Sequence, residues 1–196
     1  MFQVKGEQNK QNKKGFTLAE LLIVVAVIAV LVAISIPIFN KQIEKSREAH
    51  DIYTMRAIAD FAVDAYYSGK VNKDHAEELG LTWWGNGTAD QHNAAGVYVP
   101  STGGFVLKRD GVKPYGKGTK VDGGTSVSVG SNTNGMYNTT LDYTNAVCML
   151  SIYPEGNNPH IDIYWKDNAG TNTGKYVGGD GGKKDNPVYS LRISLK

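Results

Sequence analysis

From Phe16 to Ile36 the chain runs for 21 residues with only Thr17, Glu20 and Ser35 polar. As an α-helix this stretch covers about 31 Å, the thickness of a bilayer's hydrocarbon core. A cleaved secretory signal has a shorter apolar region of about 7–15 residues, and a buried core helix is seldom so long or so rich in Val and Ile. The segment is therefore expected to enter a membrane. Within it Glu20 stands out, because a carboxylate in an apolar span costs about 2.5–3.5 kcal/mol on insertion scales. No Lys, Arg or His lies between Phe16 and Phe39 to neutralise it. Cleavage after Gly15 would create a positive charge nearby, the α-amine of Phe16, with an ordinary pKa of about 7.7–8.0.

The basic Lys13-Lys14-Gly15, then Phe16-Thr17-Leu18, Glu20 four residues after Phe16, a long apolar helix and Pro37 near its end resemble the N-terminus of a type IV pilin. The resemblance covers about residues 13–46. It implies a prepilin peptidase that cuts between Gly15 and Phe16 and methylates the new Phe16 amine. It also implies that Glu20 pairs with the Phe16 amine of a neighbouring subunit in a growing fibre. In assembled pili the segment before the matching proline is partly unwound, which here corresponds to roughly residues 29–36. Proline inside a helix removes a hydrogen bond and crowds the carbonyl four residues back, so a kink is expected at Pro37.

The formal charge of +2 is unevenly placed. Residues 1–15 carry Lys5, Lys10, Lys13 and Lys14 against Glu7, leaving the rest of the chain at −1. A basic leader fits a cytoplasmic N-terminus. The near-neutral remainder gives no electrostatic argument for nucleic-acid binding, which shows as a clustered basic face. Cys148 is the single cysteine, so no disulfide forms within the chain. Pilins of Gram-negative bacteria usually close a C-terminal loop with a cysteine pair, and this chain resembles the disulfide-free pilins of Gram-positive bacteria better. In its apolar run Cys148 reads as a small buried hydrophobe.

Four regions are expected: a cleaved leader over 1–15, a transmembrane and fibre-core helix half over 16–39, an amphipathic helix half over 40–69, and a globular region over 70–196. In the amphipathic half Ile52, Met55, Ile58, Ala59, Ala62, Val63, Ala65 and Tyr66 share one face, with Arg56, Asp60 and Asp64 opposite. Lys41, Glu44, Lys45, Arg47 and Glu48 before it read as a solvated, mixed-charge stretch, and Gly69 as the stop. Asp74 to Leu79 reads as a short helix with Asp74 as cap and Gly80 beyond its end.

Short β-prone runs follow at 97–99, 105–107, 126–129, 146–153, 161–165 and 188–195. Ile161, Ile163 and Trp165 alternate with Asp162, Tyr164 and Lys166; Tyr189, Leu191, Ile193 and Leu195 alternate with Ser190, Arg192 and Ser194. That pattern predicts an antiparallel sheet with a wet outer side, its dry side covering the helix, in an α+β fold.

Candidate sites beyond the N-terminus are few. Trp83-Trp84 in a Gly-rich loop offers a surface ligand platform, though one ring in the core and one half exposed is the commoner outcome. Asn86-Gly87-Thr88 and Asn138-Thr139-Thr140 match the glycosylation acceptor pattern, which is weak evidence of modification. Gly178 to Gly182 with Asp185 and Asn186 has hard oxygen ligands for calcium but no bidentate Glu at a matching spacing. His50, His75, His92 and His160 are far apart and lack zinc-type spacing, so no metal is expected. No nucleophile elbow or phosphate-cradling loop is present, and neither a catalytic residue nor a cofactor is expected.

The resemblance implies a pilus subunit, not an enzyme, that polymerises with copies of itself and works with a prepilin peptidase, an assembly platform and the cytoplasmic membrane before reaching the cell surface. A pseudopilin of a secretion or DNA-uptake system and a minor tip adhesin share the same N-terminus. A membrane-anchored enzyme is the alternative from another class.

Overall fold

The computed structural model describes residues 15–85, 87–120, 126–127, 135–179 and 187–195. The chain divides into two compact units, residues 1–40 and 41–196. One helix, α1 (Leu18–Tyr67), passes through the division.

In the first unit α1 has no core to face. Every residue from Phe16 to Ile34 is exposed, including Leu21, Ile23, Val25, Ile28 and Leu31. Surface of this kind is unfavourable in water and suits lipid or other apolar helices. The helix continues through Pro37. Having no N–H, Pro37 leaves the Ala33 carbonyl without its helical donor. One turn earlier the Ser35 hydroxyl donates to the Leu31 carbonyl at 2.7 Å.

In the second unit the 3.6-residue period produces a buried stripe. Met55, Ile58, Ala59, Ala62 and Ala65 are buried, while Arg56, Asp60 and Asp64 are exposed. Gly69 ends the helix with φ +72°, a conformation suited to glycine. The next turn departs from expectation. A 3₁₀ turn covers only Ala76–Leu79, and its entry is organised by Asn72, whose Oδ1 accepts from the Asp74 and His75 N–H groups. Gly80 stands at its C-terminus with φ +75°.

The sheet is antiparallel throughout. Strands β1 (Thr82–Trp84), β2 (Asn93–Val99), β6 (Ala146–Tyr153), β7 (His160–Asp167) and β8 (Leu191–Ser194) lie in that spatial order. β3 (Gly104–Val106) pairs with the C-terminal half of β2. A separate two-stranded ladder joins β4 (Ser126–Val127) to β5 (Tyr137–Asn138). β2 starts four residues earlier than its β-prone run because Ala94, Ala95 and Gly96, weak strand formers, are recruited by pairing to Ile152, Ser151 and Leu150. Gly96 is required there, since a Cβ would press on the Leu81 side chain and the Gly80 carbonyl.

One face of the sheet packs on α1: Ala94, Cys148, Leu150, Ile152, Ile161, Ile163, Trp165 and Leu191 join Met55, Ile58 and Ala62 in one core. This is an α+β arrangement of a long helix on an antiparallel sheet. Its outer side is not wet as the alternation suggests. Val147, Ser151, Asp162 and Tyr164 on that side are buried as well. Tyr164 packs edge-on against Tyr176 and hydrogen-bonds Ser151 at 3.1 Å, and Lys166 lies over the Tyr176 ring. A returning segment thus covers part of the second face.

Candidate functional site

The start of α1 is built by a reciprocal cap. Thr17 precedes the first helical residue, and Glu20 stands three residues on. The Glu20 carboxylate accepts from the Thr17 N–H at 2.7 Å and from its hydroxyl at 2.8 Å, while the Thr17 Oγ1 accepts from the Glu20 N–H at 3.2 Å. This is a capping box, which satisfies two donors left over at a helix N-terminus. The sequence offers Glu20 no cationic partner within the segment; the structure supplies the neutral Thr17. The Thr-x-x-Glu spacing before an apolar run was the signal. The helix N-terminus adds a favourable field for the carboxylate.

Gly15 and Phe16 precede the cap and are exposed. Among the described residues nothing lies within 4 Å of where a Gly15 Cβ would sit. The leader's lysines fall outside the described residues.

A second constellation lies along α1. Glu44 and Glu48, which belong to a stretch expected to be solvated, and Asp51 after them are only 2%, 5% and 0% exposed. Their spacing of four and three residues continues through Met55, Ile58, Ala62 and Ala65, so they are the polar beginning of the buried stripe. Asp51 accepts from the backbone N–H of Lys117 at 3.0 Å, from that of Gly118 at 2.8 Å and from the Tyr137 hydroxyl at 3.0 Å. Glu44 accepts from the Thr119 N–H. Burial pushes the Asp51 pKa up, and these hydrogen bonds pull against that rise. Gly116 and Gly118 allow the loop so close that a Cβ would overlap the Tyr143 carbonyl and the Tyr137 hydroxyl respectively. Carboxylates that belong to the fold's own strapping explain why charged residues lie on the core stripe.

The remaining candidates separate. Trp83 packs toward the core and meets His92 edge-on at 5.9 Å. Trp84 is 56% exposed and borders a groove of about 280 Å³ with Leu107, Lys108 and Met149. Consecutive strand residues face opposite sides, so the two rings do not make one platform. The Asn138 amide donates to the Tyr189 hydroxyl at 2.7 Å and its Oδ1 accepts from Thr140, so this acceptor is engaged in the fold. Asn86 and the 180–186 part of the Gly-Asp loop lie outside the described residues. Cys148 is fully buried, and burial raises its thiol pKa. Among the described residues no three His, Cys, Asp or Glu side chains gather as a metal site.

Residues 10–36 match the prokaryotic N-terminal methylation motif. The chain is 32% identical over 123 residues to the type IV major fimbrial protein FimA of Dichelobacter nodosus, an alignment spanning 58% of this chain and 73% of that one. It is 38% identical over 94 residues to fimbrial protein Q of Moraxella bovis, spanning 44% and 59%. With the type IV major pilin protein PilA of Myxococcus xanthus it shares 33% identity over 131 residues, spanning 61% and 58%. The chain thus covers less than two thirds of the length of the last two. No solved structure matches the chain significantly.

Proposed function

Because this chain belongs to the type IV pilin family, we propose that it is the structural subunit of a type IV pilus. Its precursor is held in the cytoplasmic membrane by the apolar half of α1, with the basic leader on the cytoplasmic side. Prepilin peptidase cuts after Gly15 and methylates the Phe16 amine. The assembly platform then passes the subunit into a helical fibre of identical chains, exposed at the cell surface.

The observation that carries this reading is the wholly exposed apolar part of α1 from Leu18 to Ile34 with one carboxylate, Glu20, in its first turn. Extraction from lipid into a bundle of like helices keeps every apolar residue in apolar surroundings, so the transfer costs little hydrophobic free energy. The polar balance does change. In the uncleaved chain Glu20 is satisfied by Thr17. After cleavage a cationic Phe16 amine competes for it. An unmatched charge is expensive in an apolar bundle, so a docking subunit whose amine finds the Glu20 of its neighbour is favoured over one out of register.

The test is the N-terminus of the fibre subunit. Mass spectrometry is expected to find Phe16 first, N-methylated. Gly15→Val is expected to leave full-length precursor in the membrane, and since a side chain at residue 15 meets no neighbour among the described residues, the loss would belong to processing rather than folding. A fibre subunit that begins elsewhere would overturn the proposal.

A further inference from the structure

On the outer face of the sheet, β1 and the chain that leaves β3 border the groove of about 280 Å³ beside Trp84. Strand pairing fixes its parts. Trp84 lies opposite Asn93 and Thr82 opposite Ala95, while Ala95 and Val97 lie opposite Ser151 and Met149, so Trp84, Ala95, Val97 and Met149 share this face. Ala95, Val97 and Met149 make an apolar floor, and the half-exposed Trp84 ring stands at one side of it. Residues 107–110 line the other side. That stretch is pinned at both ends. The Thr82 hydroxyl donates to the Leu107 carbonyl at 3.3 Å, and the Asn168 amide donates to the Arg109 and Val112 carbonyls at 3.0 and 2.7 Å. A site whose sides are held before anything enters loses little to ordering when a ligand binds.

Arg109 directs its guanidinium to the Asp167 carbonyl and to Asn168 Oδ1. Among the described residues no hydrogen bond or ion pair engages the Lys108 ammonium, the Asp110 carboxylate or the Trp84 indole N–H. An aromatic ring and an apolar floor with a few polar groups at the margin is the make-up of a small-molecule site. The two charges decide the class of ligand. Lys108 and Asp110 are two residues apart; a net cation is repelled by the first and a net anion by the second. A neutral ring with one apolar face and a rim of hydroxyls suits both. We propose that Trp84, Lys108 and Asp110 form a binding site for one neutral pyranose ring of a saccharide.

The C–H face of the sugar lies against the indole, where both surfaces leave water. Its hydroxyls accept from the Lys108 ammonium and the Trp84 N–H and donate to the Asp110 carboxylate, and the charge on two of these partners strengthens the bonds. The groove stands near the small end of ligand pockets, about 300 Å³, which admits a single ring. A zwitterion would meet both charges, but as exposed ion pairs that contribute little, and would leave the indole uncovered. The site lies within residues 41–196 and does not depend on the pilus reading. In a fibre, repetition of the subunit would let such weak sites act together.

The full chain, kept soluble in an amphipol that contains no sugar, is titrated with methyl β-glucoside, methyl β-galactoside and N-acetylglucosamine, and binding is read by saturation-transfer NMR. At least one is expected to saturate at low-millimolar concentration, in keeping with a ligand of about 13–15 heavy atoms. High salt should change this little, since the ligand is uncharged. Trp84→Ala is expected to weaken binding at least tenfold, Trp84→Tyr to keep most of it, and Asp110→Asn to weaken it several-fold. Tyr53→Ala, which removes an exposed ring of α1, should leave it unchanged. Circular dichroism melts check the folding of each variant, and if Trp84→Ala unfolds, the exposed Asp110→Asn change decides the matter. Absence of saturable binding by all three sugars overturns the inference, as does binding that a folded Trp84→Ala or Asp110→Asn chain retains in full. Stronger binding of glucuronate, choline or alanine overturns it too, and would assign the groove to a charged ligand. None of these outcomes bears on the membrane or fibre steps of the proposed function.

Discussion

The Asp51 carboxylate accepts the Gly118 N–H at 2.8 Å across 67 residues of chain, and it is fully buried where it does so. The contact ties the loop 115–119 to α1. Asp51→Ala would leave the N–H groups of Lys117 and Gly118 unsatisfied under cover, at about 1–3 kcal/mol each. A loss of about 3 kcal/mol or more is expected, a fall in Tm of roughly 6–12 °C for a unit of this size. Asp51→Asn keeps one acceptor oxygen and should lose about 1 kcal/mol. Thermal unfolding followed by circular dichroism separates the two, and equal stability of Asp51→Ala and the natural chain would show that the loop is not held this way.

Gly116 and Gly118 are required by that close approach. Gly118→Ala would drive a methyl into the Tyr137 hydroxyl, and Gly116→Ala would drive one into the Tyr143 carbonyl. Each is expected to cost about 1–3 kcal/mol. Gly104→Ala, where the nearest atom is the Thr102 hydroxyl at 3.8 Å, should be close to neutral. Denaturant midpoints for the three variants make the comparison, and similar midpoints for all three would sink it.

A pH dependence follows from His160. Its ring stacks on Tyr153 at 4.4 Å and its Nε2 lies 3.6 Å from Asp162, which also takes a two-pronged bond from Arg192. The contact with Asp162 raises the His160 pKa, against partial burial. For Asp162, burial pushes the pKa up, but Arg192 and His160 outweigh it and hold the carboxylate below its usual range. A raised histidine contributes stability that is complete below its ordinary value of about 6.5 and is lost as pH rises through the raised value. The Asp162 contribution is present above about 3.9 and is lost as pH falls through the lowered value. His160→Gln should therefore destabilise more at pH 5.5 than at pH 9, by at most about 1 kcal/mol because the ring is partly screened. An identical loss at both pH values in urea titrations would contradict the assignment.

Glu20→Gln separates capping from charge pairing. A glutamine still accepts from Thr17, as glutamine does in capping boxes elsewhere, so the start of α1 and the amount of subunit in the membrane should be near normal. It cannot pair as an anion with a Phe16 amine. Fibre number is expected to fall strongly, and electron microscopy of cells that make only this variant decides it. Abundant normal fibres would remove the charge pair from the assembly mechanism.

Much of the molecule is written in local pattern. The apolar run from Phe16 and the Thr17-x-x-Glu20 spacing are local, and neither needs a tertiary contact to form. The stripe through Met55, Ile58 and Ala62 is a helical period, and β6 is a β-prone run from Ala146 to Tyr153 bounded by turn residues. The fate of Glu44, Glu48 and Asp51 could not be read in the same way. A carboxylate in a charged stretch is ordinarily solvated, and here backbone donors some 70 residues later, at Lys117 to Thr119, meet Asp51 and Glu44 and make their burial tolerable. Likewise Asp162 and Tyr164 alternate as a wet strand face should, and it is Arg192, Ser151 and Tyr176, each from another segment, that make their burial tolerable. Trp83 and Trp84 are adjacent in sequence, yet strand pairing with Ala94 and Asn93 assigns them to opposite faces. Local sequence sets which residues prefer water or oil, while long-range hydrogen bonds decide where a polar side chain escapes that preference, because only the folded chain brings donor and acceptor together.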